Sequence, residues 1–328
     1  MKKQLVVFLV LVFFGIGLLS LTGAAQAAPA KVKLGVQPWL GYGPWWIAEK
    51  NGYFEKRGID VQVINFTWDQ DMGAALAAGQ LDVIAAATNF VISMRNQGID
   101  LQGFILLDAS FEADAILAPA EITSIKDLKG KSVAYEYGAT SDLLLNYALR
   151  ENGMTRDDIK PVPMAAADAG LALISGRVDI AVTYEPYISA ALREGKGYKS
   201  LYTAAERPGL ISDLAVAEAS YIKKNPDVIK ALTLAWDDAV TFLNTHPEEG
   251  GKIIADAVGS PMDEFKVAFE GVRLYDLKGN YEAFQGDFLK TFAEVGQIMA
   301  QLNPKEIKTI PTPQEALAID QIKELARK

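Results

Sequence analysis

The chain has 328 residues, a formal net charge of -9, a single histidine and no cysteine. That inventory excludes disulfides, a cysteine nucleophile, lipid attachment to an N-terminal cysteine and a clustered-histidine metal site. The acidic balance leaves no electrostatic footprint for nucleic acid or anionic lipid, and the length suits two lobes better than one core.

Residues 1–27 read as a cleavable signal peptide. Lys2 and Lys3 precede an apolar run from Leu5 to Leu21, and Ala25-Gln26-Ala27 supplies small residues for cleavage near Ala27. A periplasmic protein is expected. No later segment is apolar for long enough to span a bilayer.

Val32 to Val36 forms a strand pattern, and Pro44 suits the first turn of a helix that stops before Gly52. The loop between them carries Trp39, Tyr42 and Trp45. Ligands in open α/β sheets bind beyond the carboxyl ends of strands, so Trp39 and Tyr42 are candidate ligand contacts. Trp45 and Trp46 read equally as cleft lining or as the start of a buried helix face.

Strands then alternate with helices, the pattern of parallel βαβ units. Strands are predicted at 60–66, 81–87, 101–107 and 113–118, with helices at 72–78 and 90–96 between them. The pattern restarts with strands at 132–135, 161–164 and 179–183 and helices at 142–151 and 167–175. An internal repeat underlies this. Residues 71–83 (DMGAALAAGQLDV) match residues 168–180 (DAGLALISGRVDI), and Gly79 and Gly176 fall where a helix end needs a left-handed residue.

Two short extended apolar segments, 113–118 and 212–217, bracket the second repeat and are expected to cross between lobes. The expected division is a discontinuous first lobe, 30–117 plus 214–328, and a second lobe, 118–213. From Pro226 onward the chain reads as helical, with Val228, Ile229, Leu232, Trp236, Val240 and Leu243 on one buried face. Further helices are predicted at 247–257, 261–270 and 281–301.

At this point the chain resembles the solute-binding proteins of bacterial ABC importers of the nitrate/sulfonate/taurine type, a group that also includes binders of thiamine-pyrimidine precursors. The resemblance rests on Gly43-Pro44, the run from Ile47 to Phe54, Gly58-Ile59-Asp60-Val61, the run from Ala75 to Asp82, the run from Ile125 to Lys131, and Gly176-Arg177-Val178-Asp179. It implies an α/β, two-lobed periplasmic binding protein fold (type II). Each lobe would be a mostly parallel sheet flanked by helices, closing on a small molecule in the cleft. It also implies delivery of that solute by a monomer to the transmembrane permease subunits.

Chemistry finds little foothold. His246 precedes Pro247 at a helix start, which suits a surface role. No nucleophile elbow, P-loop or His-Glu-x-x-His motif occurs. No catalytic residue, cofactor or metal is expected. An enzyme remains the minor alternative, because the resemblance extends to pyrimidine-synthesising enzymes and lyases on this fold.

Candidate ligand-binding positions follow strand ends: Trp39, Tyr42, Trp68, Asp69, Thr88, Asn89 and Asp108 in the first lobe. Glu136, Thr140, Ser141, Asp142, Tyr184 and Glu185 follow in the second, with Asp213 on the returning segment. The resemblance implies that Thr140 and Ser141 match hydroxyls that hold sulfonates, and that Asp213 matches the acid that holds the amine in taurine binders. Several have local alternatives: Asp142 favours a helix N-terminus and Asp69 or Asp71 caps a helix. The acidic crowding and the lack of basic residues in these loops predict a small cationic or zwitterionic nitrogen-bearing solute: an amine, a guanidine-type compound or an aminosulfonate. The alternative is a sulfonate- or nitrate-type anion, or a pyrimidine precursor.

Overall fold

The computed structural model describes residues 28–326, so the expected signal peptide lies outside the described residues. Two β-sheets organise the chain. The first contains β1 (Ala30–Val36), β2 (Ile59–Asn65), β3 (Val83–Ala87), β4 (Leu101–Ser110), β10 (Ser212–Glu218) and β11 (Val272–Leu274) in the order β11-β4-β10-β3-β1-β2. The second contains β5 (Asp114–Pro119), β6 (Ser132–Tyr135), β7 (Lys160–Pro163), β8 (Ala181–Tyr184) and β9 (Tyr198–Thr203) in the order β7-β6-β8-β5-β9.

Strands β2-β1-β3 and β7-β6-β8 pair in parallel, as the helical crossovers require. The remaining pairs are antiparallel, so the sheets are mixed rather than mostly parallel. The reason is the route of the chain. A strand that arrives from the other lobe enters its sheet at the cleft, where the parallel strands end: Asp213 lies opposite Ala87 at the end of β3, and Asp114 opposite Tyr184 at the end of β8.

The chain therefore passes between sheets over residues 111–113 and returns over 204–211. The segments 113–118 and 212–217, expected to be the crossings, are almost entirely strand just beyond each crossing. They are buried strands with partners on both sides.

The two copies of the internal repeat fold alike. The helices Asp69–Ala77 and Ala166–Ile174 run into Gly79 (φ 68°) and Gly176 (φ 73°), left-handed residues that an L side chain would strain. Strands β3 and β8 follow. Against the outer face of the first sheet packs the long helix Pro226–Thr245, whose Trp236 lies 4.8 Å from the ring of Trp45, with Trp45 stacked on Phe54 at 6.1 Å. Trp45 is fully buried there and Trp46 nearly so, and neither lines the cavity between the lobes. The helix Asp287–Leu302 and the turn after it touch the second lobe. Gln301 accepts from Arg150, and Glu306 accepts from the Tyr137 hydroxyl at 2.7 Å. Among the described residues no helix is long and apolar enough to cross a membrane.

Candidate functional site

The cleft ends of the two sheets meet around a cavity of about 20 Å³, room for about one water. Gln37, Trp39 and Tyr42 reach it from the loop after β1, Asp69 from the helix after β2, Ala87 from the end of β3, and Ile211 and Asp213 from the start of β10. The second lobe contributes Asp114 from the start of β5, Thr140 from the helix after β6 and Tyr184 from the end of β8. No basic side chain lines it.

Trp39 and Tyr184 meet edge to face across the two lobes, ring centroids 5.9 Å apart. The indole N–H of Trp39 donates to Asp108 Oδ1 at 3.1 Å. Gly41 makes that bond possible: a Cβ there would lie 2.3 Å from both Asp108 Oδ2 and Trp39 Nε1. Asp108 stands opposite Asp213 across β4 and β10. Both carboxyls are buried, and neither Asp108 Oδ2 nor Asp213 Oδ1 accepts from a neighbouring N–H or hydroxyl. Two buried carboxyls so placed cannot both ionise cheaply.

Burial pushes Asp108 up to about 8, with the Trp39 indole opposing the rise. Burial, reinforced by the charge of Asp108, drives Asp213 well above the carboxylate range. Asp114 is pushed up to about 7 by burial. Asp69 rises well above its usual value through burial and the charges of Glu136 and Asp213. The site thus holds protonated carboxyls near neutral pH, able to donate as well as accept.

Glu136 stands apart because its carboxylate has two firm partners. Oε1 accepts from the main-chain N–H of Asp69 at 2.9 Å, and Oε2 from that of Ala166 at 3.1 Å. These are the first residues of two helices, one in each lobe, whose N-cap residues Trp68 and Ala165 supply no side-chain acceptor. Asp69 and Asp71 make no cap of their own; Glu136 caps from across the cleft.

The remaining sequence candidates are committed elsewhere. The Thr88 hydroxyl donates to the carbonyl of Ser212 at 2.9 Å. Ser141 exchanges hydrogen bonds with the main chain of Glu136. Asp142 accepts from Arg156, Asn146 and the Gly138 N–H inside the second lobe. Glu185 accepts from the Ser189 N–H and hydroxyl at the start of the next helix. Trp68 is half-buried and Asn89 buried, and neither lines the cavity. Sequence reasoning missed Asp114, because the segment that carries it was read as a connection. Among the described residues no group of three or more His, Asp or Glu side chains is placed to hold a metal ion.

Comparison with known proteins bears on this arrangement. A family model described as NMT1/THI5 like matches residues 41–250. A protein of Escherichia coli (strain K12) named for binding aliphatic sulfonates is 28% identical over 252 residues, 75% of this chain and 78% of that protein. The crystal structure of the periplasmic aliphatic sulphonate binding protein from Escherichia coli superposes with a TM-score of 0.70 at 21% identity, covering 90% of this chain and 99% of that one. A Schizosaccharomyces pombe relative named 4-amino-5-hydroxymethyl-2-methylpyrimidine phosphate synthase is 24% identical over 217 residues, 62% of each chain. The fold is the two-lobed periplasmic binding protein fold.

Proposed function

The chain belongs to the NMT1/THI5-like family, and from that premise we propose that it is the extracytoplasmic solute-binding component of an ABC importer. It captures a small organic anion of the sulfonate type by closing two lobes on it, then presents it to the permease subunits as a monomer. The observation that carries this reading is the convergence of two helix N-termini, one per lobe, on a single carboxyl group, that of Glu136, at the cleft. First-turn N–H groups and the helix dipole favour an anion there.

The expectation of a nitrogen-bearing cation draws no support from the relatives, and the sulfonate- or nitrate-type alternative fits their names better. One feature of the site favours an aminosulfonate within that class. Asp108, Asp114 and Asp213 lie beside Trp39 and Tyr184 with no basic residue among them, a setting that would pair with an ammonium group. The enzyme reading is weaker, since the synthase-named relative matches a shorter span at lower identity than the binding protein.

A thermal-shift screen with methanesulfonate, taurine, nitrate, methylamine and guanidine tests this. Sulfonates, taurine included, are expected to raise the unfolding temperature, with stabilisation of about 2.7 kcal/mol at a hundredfold excess over Kd. A response to methylamine or guanidine with none to either sulfonate would reject the anion reading.

A further inference from the structure

Glu136 occupies a position that the internal repeat creates. Aligning residues 71–83 with 168–180 sets Asp69 against Ala166. The two N–H groups that Glu136 accepts from are therefore equivalent atoms of the two repeat copies. One belongs to the helix Asp69–Ala77 of the first lobe, the other to the helix Ala166–Ile174 of the second, which is Glu136's own lobe. Neither helix has another cap at its first turn. The carboxylate is buried, and Ser141 fixes its backbone from both sides, donating to the carbonyl and accepting from the N–H. A buried carboxylate with both oxygens on N–H groups is well satisfied only while the lobes are together. If they part, one oxygen and the first turn of helix Asp69–Ala77 lose their partner.

We infer that Glu136 is a built-in anion that latches the two lobes in the absence of solute, and that an incoming anionic group competes with it for the same pair of helix N-termini. The inference rests on the anion reading above only in its second half. Other groups also tie the lobes, among them Arg193 paired with Glu264, the Tyr137 hydroxyl donating to Glu306 and Arg150 donating to Gln301. These ties are at the periphery, where Arg193 and Tyr137 are exposed, and such pairs contribute little. At the cleft itself Glu136 ties the lobes by hydrogen bonds, alongside the ring contact of Trp39 with Tyr184. The latch would tax affinity, because a solute enters only the fraction of molecules that are open.

Small-angle scattering of the solute-free protein tests the latch directly. Glu136→Gln keeps the size of the side chain and loses one acceptor; Glu136→Ala loses both. Asp69→Asn serves as control, since it removes a carboxyl group at the same helix start but keeps the main-chain donor. The wild type and Asp69→Asn are expected to be compact, and both Glu136 variants to have a larger radius of gyration with an unchanged circular dichroism spectrum. Equal radii for wild type and Glu136 variants overturn the latch, as does expansion of Asp69→Asn to the same degree. Calorimetric titration with methanesulfonate tests the competition: Glu136→Gln is expected to bind about tenfold more tightly than wild type. Unchanged affinity overturns competition. Absence of methanesulfonate binding by all four proteins rejects the anion reading instead, and the scattering result still decides the latch.

Discussion

Asp108 and Asp213 form a pair that only the closed chemistry of the cleft explains. Each sits directly opposite the other across two strands, and each is raised by burial. Together with Asp114, raised to about 7, they make stability depend on pH with a definite sign. An unfolded aspartate loses its proton near pH 3.9, whereas folded Asp108 keeps it to about 8. Between those values the native state holds protons that the unfolded chain has released. Stability from this source is complete below about pH 4 and falls as pH rises towards about 8. The unfolding temperature is expected to drop between about pH 5 and about pH 9, and Asp108→Asn to flatten that slope; parallel slopes in differential scanning calorimetry would contradict it. At this scale the sequence was legible in part. Trp39, Tyr42, Asp69, Thr140, Tyr184 and Asp213 do line the cavity. Thr88, Ser141, Asp142 and Glu185 follow strand ends equally well, but their side chains turn back to main-chain or neighbouring partners. Strand position cannot distinguish the two, because rotamer and partner depend on packing that the pattern does not encode.

The elements themselves followed from period and punctuation. Alternating and continuous apolar runs placed the strands, and glycines placed the helix ends, because an apolar face and a left-handed terminus are local requirements. Gly79 and Gly176 illustrate the second. A Cβ at either position would have nothing within 4 Å, so a substitution meets no clash and feels backbone strain alone. Gly79→Ala and Gly176→Ala are each expected to cost about 1 kcal/mol in urea unfolding, with additive effects since the sites lie in different lobes. A loss well above that, or a strongly non-additive pair, would mean that the repeats are coupled. What the pattern could not give was membership of a sheet. The segments 113–118 and 212–217 look like linkers because they are short and apolar. That is also how a strand paired on both sides looks, and pairing partners far away in sequence decide between the two.

For the whole molecule, the cavity of about 20 Å³ is too small for an organic solute, so binding requires the lobes to part or side chains to move. Trp39 reports such motion. It is almost fully buried and touches Tyr184 of the other lobe, whereas Trp45 and Trp236 sit in the first lobe's core. Opening is expected to expose Trp39 and shift tryptophan emission to longer wavelength, while the other two stay silent. In a Trp68→Phe background, which removes the half-buried indole beside the same helix, Trp39→Phe should abolish the solute-dependent emission change; its survival there would locate the motion elsewhere. The two-lobed plan was legible from the repeat, since duplicated helix-glycine-strand units imply duplicated sheets. The interlobe cap by Glu136 was not, because its two donors are main-chain atoms and leave no mark on residue identity.

The order of strands in the first sheet also bears on the order of synthesis. Within the first sheet, strand β4 is flanked by β10 and β11. Both are translated more than a hundred residues after it begins, and the whole of the second sheet lies in between. A growing chain therefore holds β4, ten residues long and almost entirely buried in the finished fold, with unpaired edges while the second lobe completes itself. The lobe that starts later finishes first. For a chain that emerges N-terminus first, the interval before β10 emerges is when β4 is most open to aggregation.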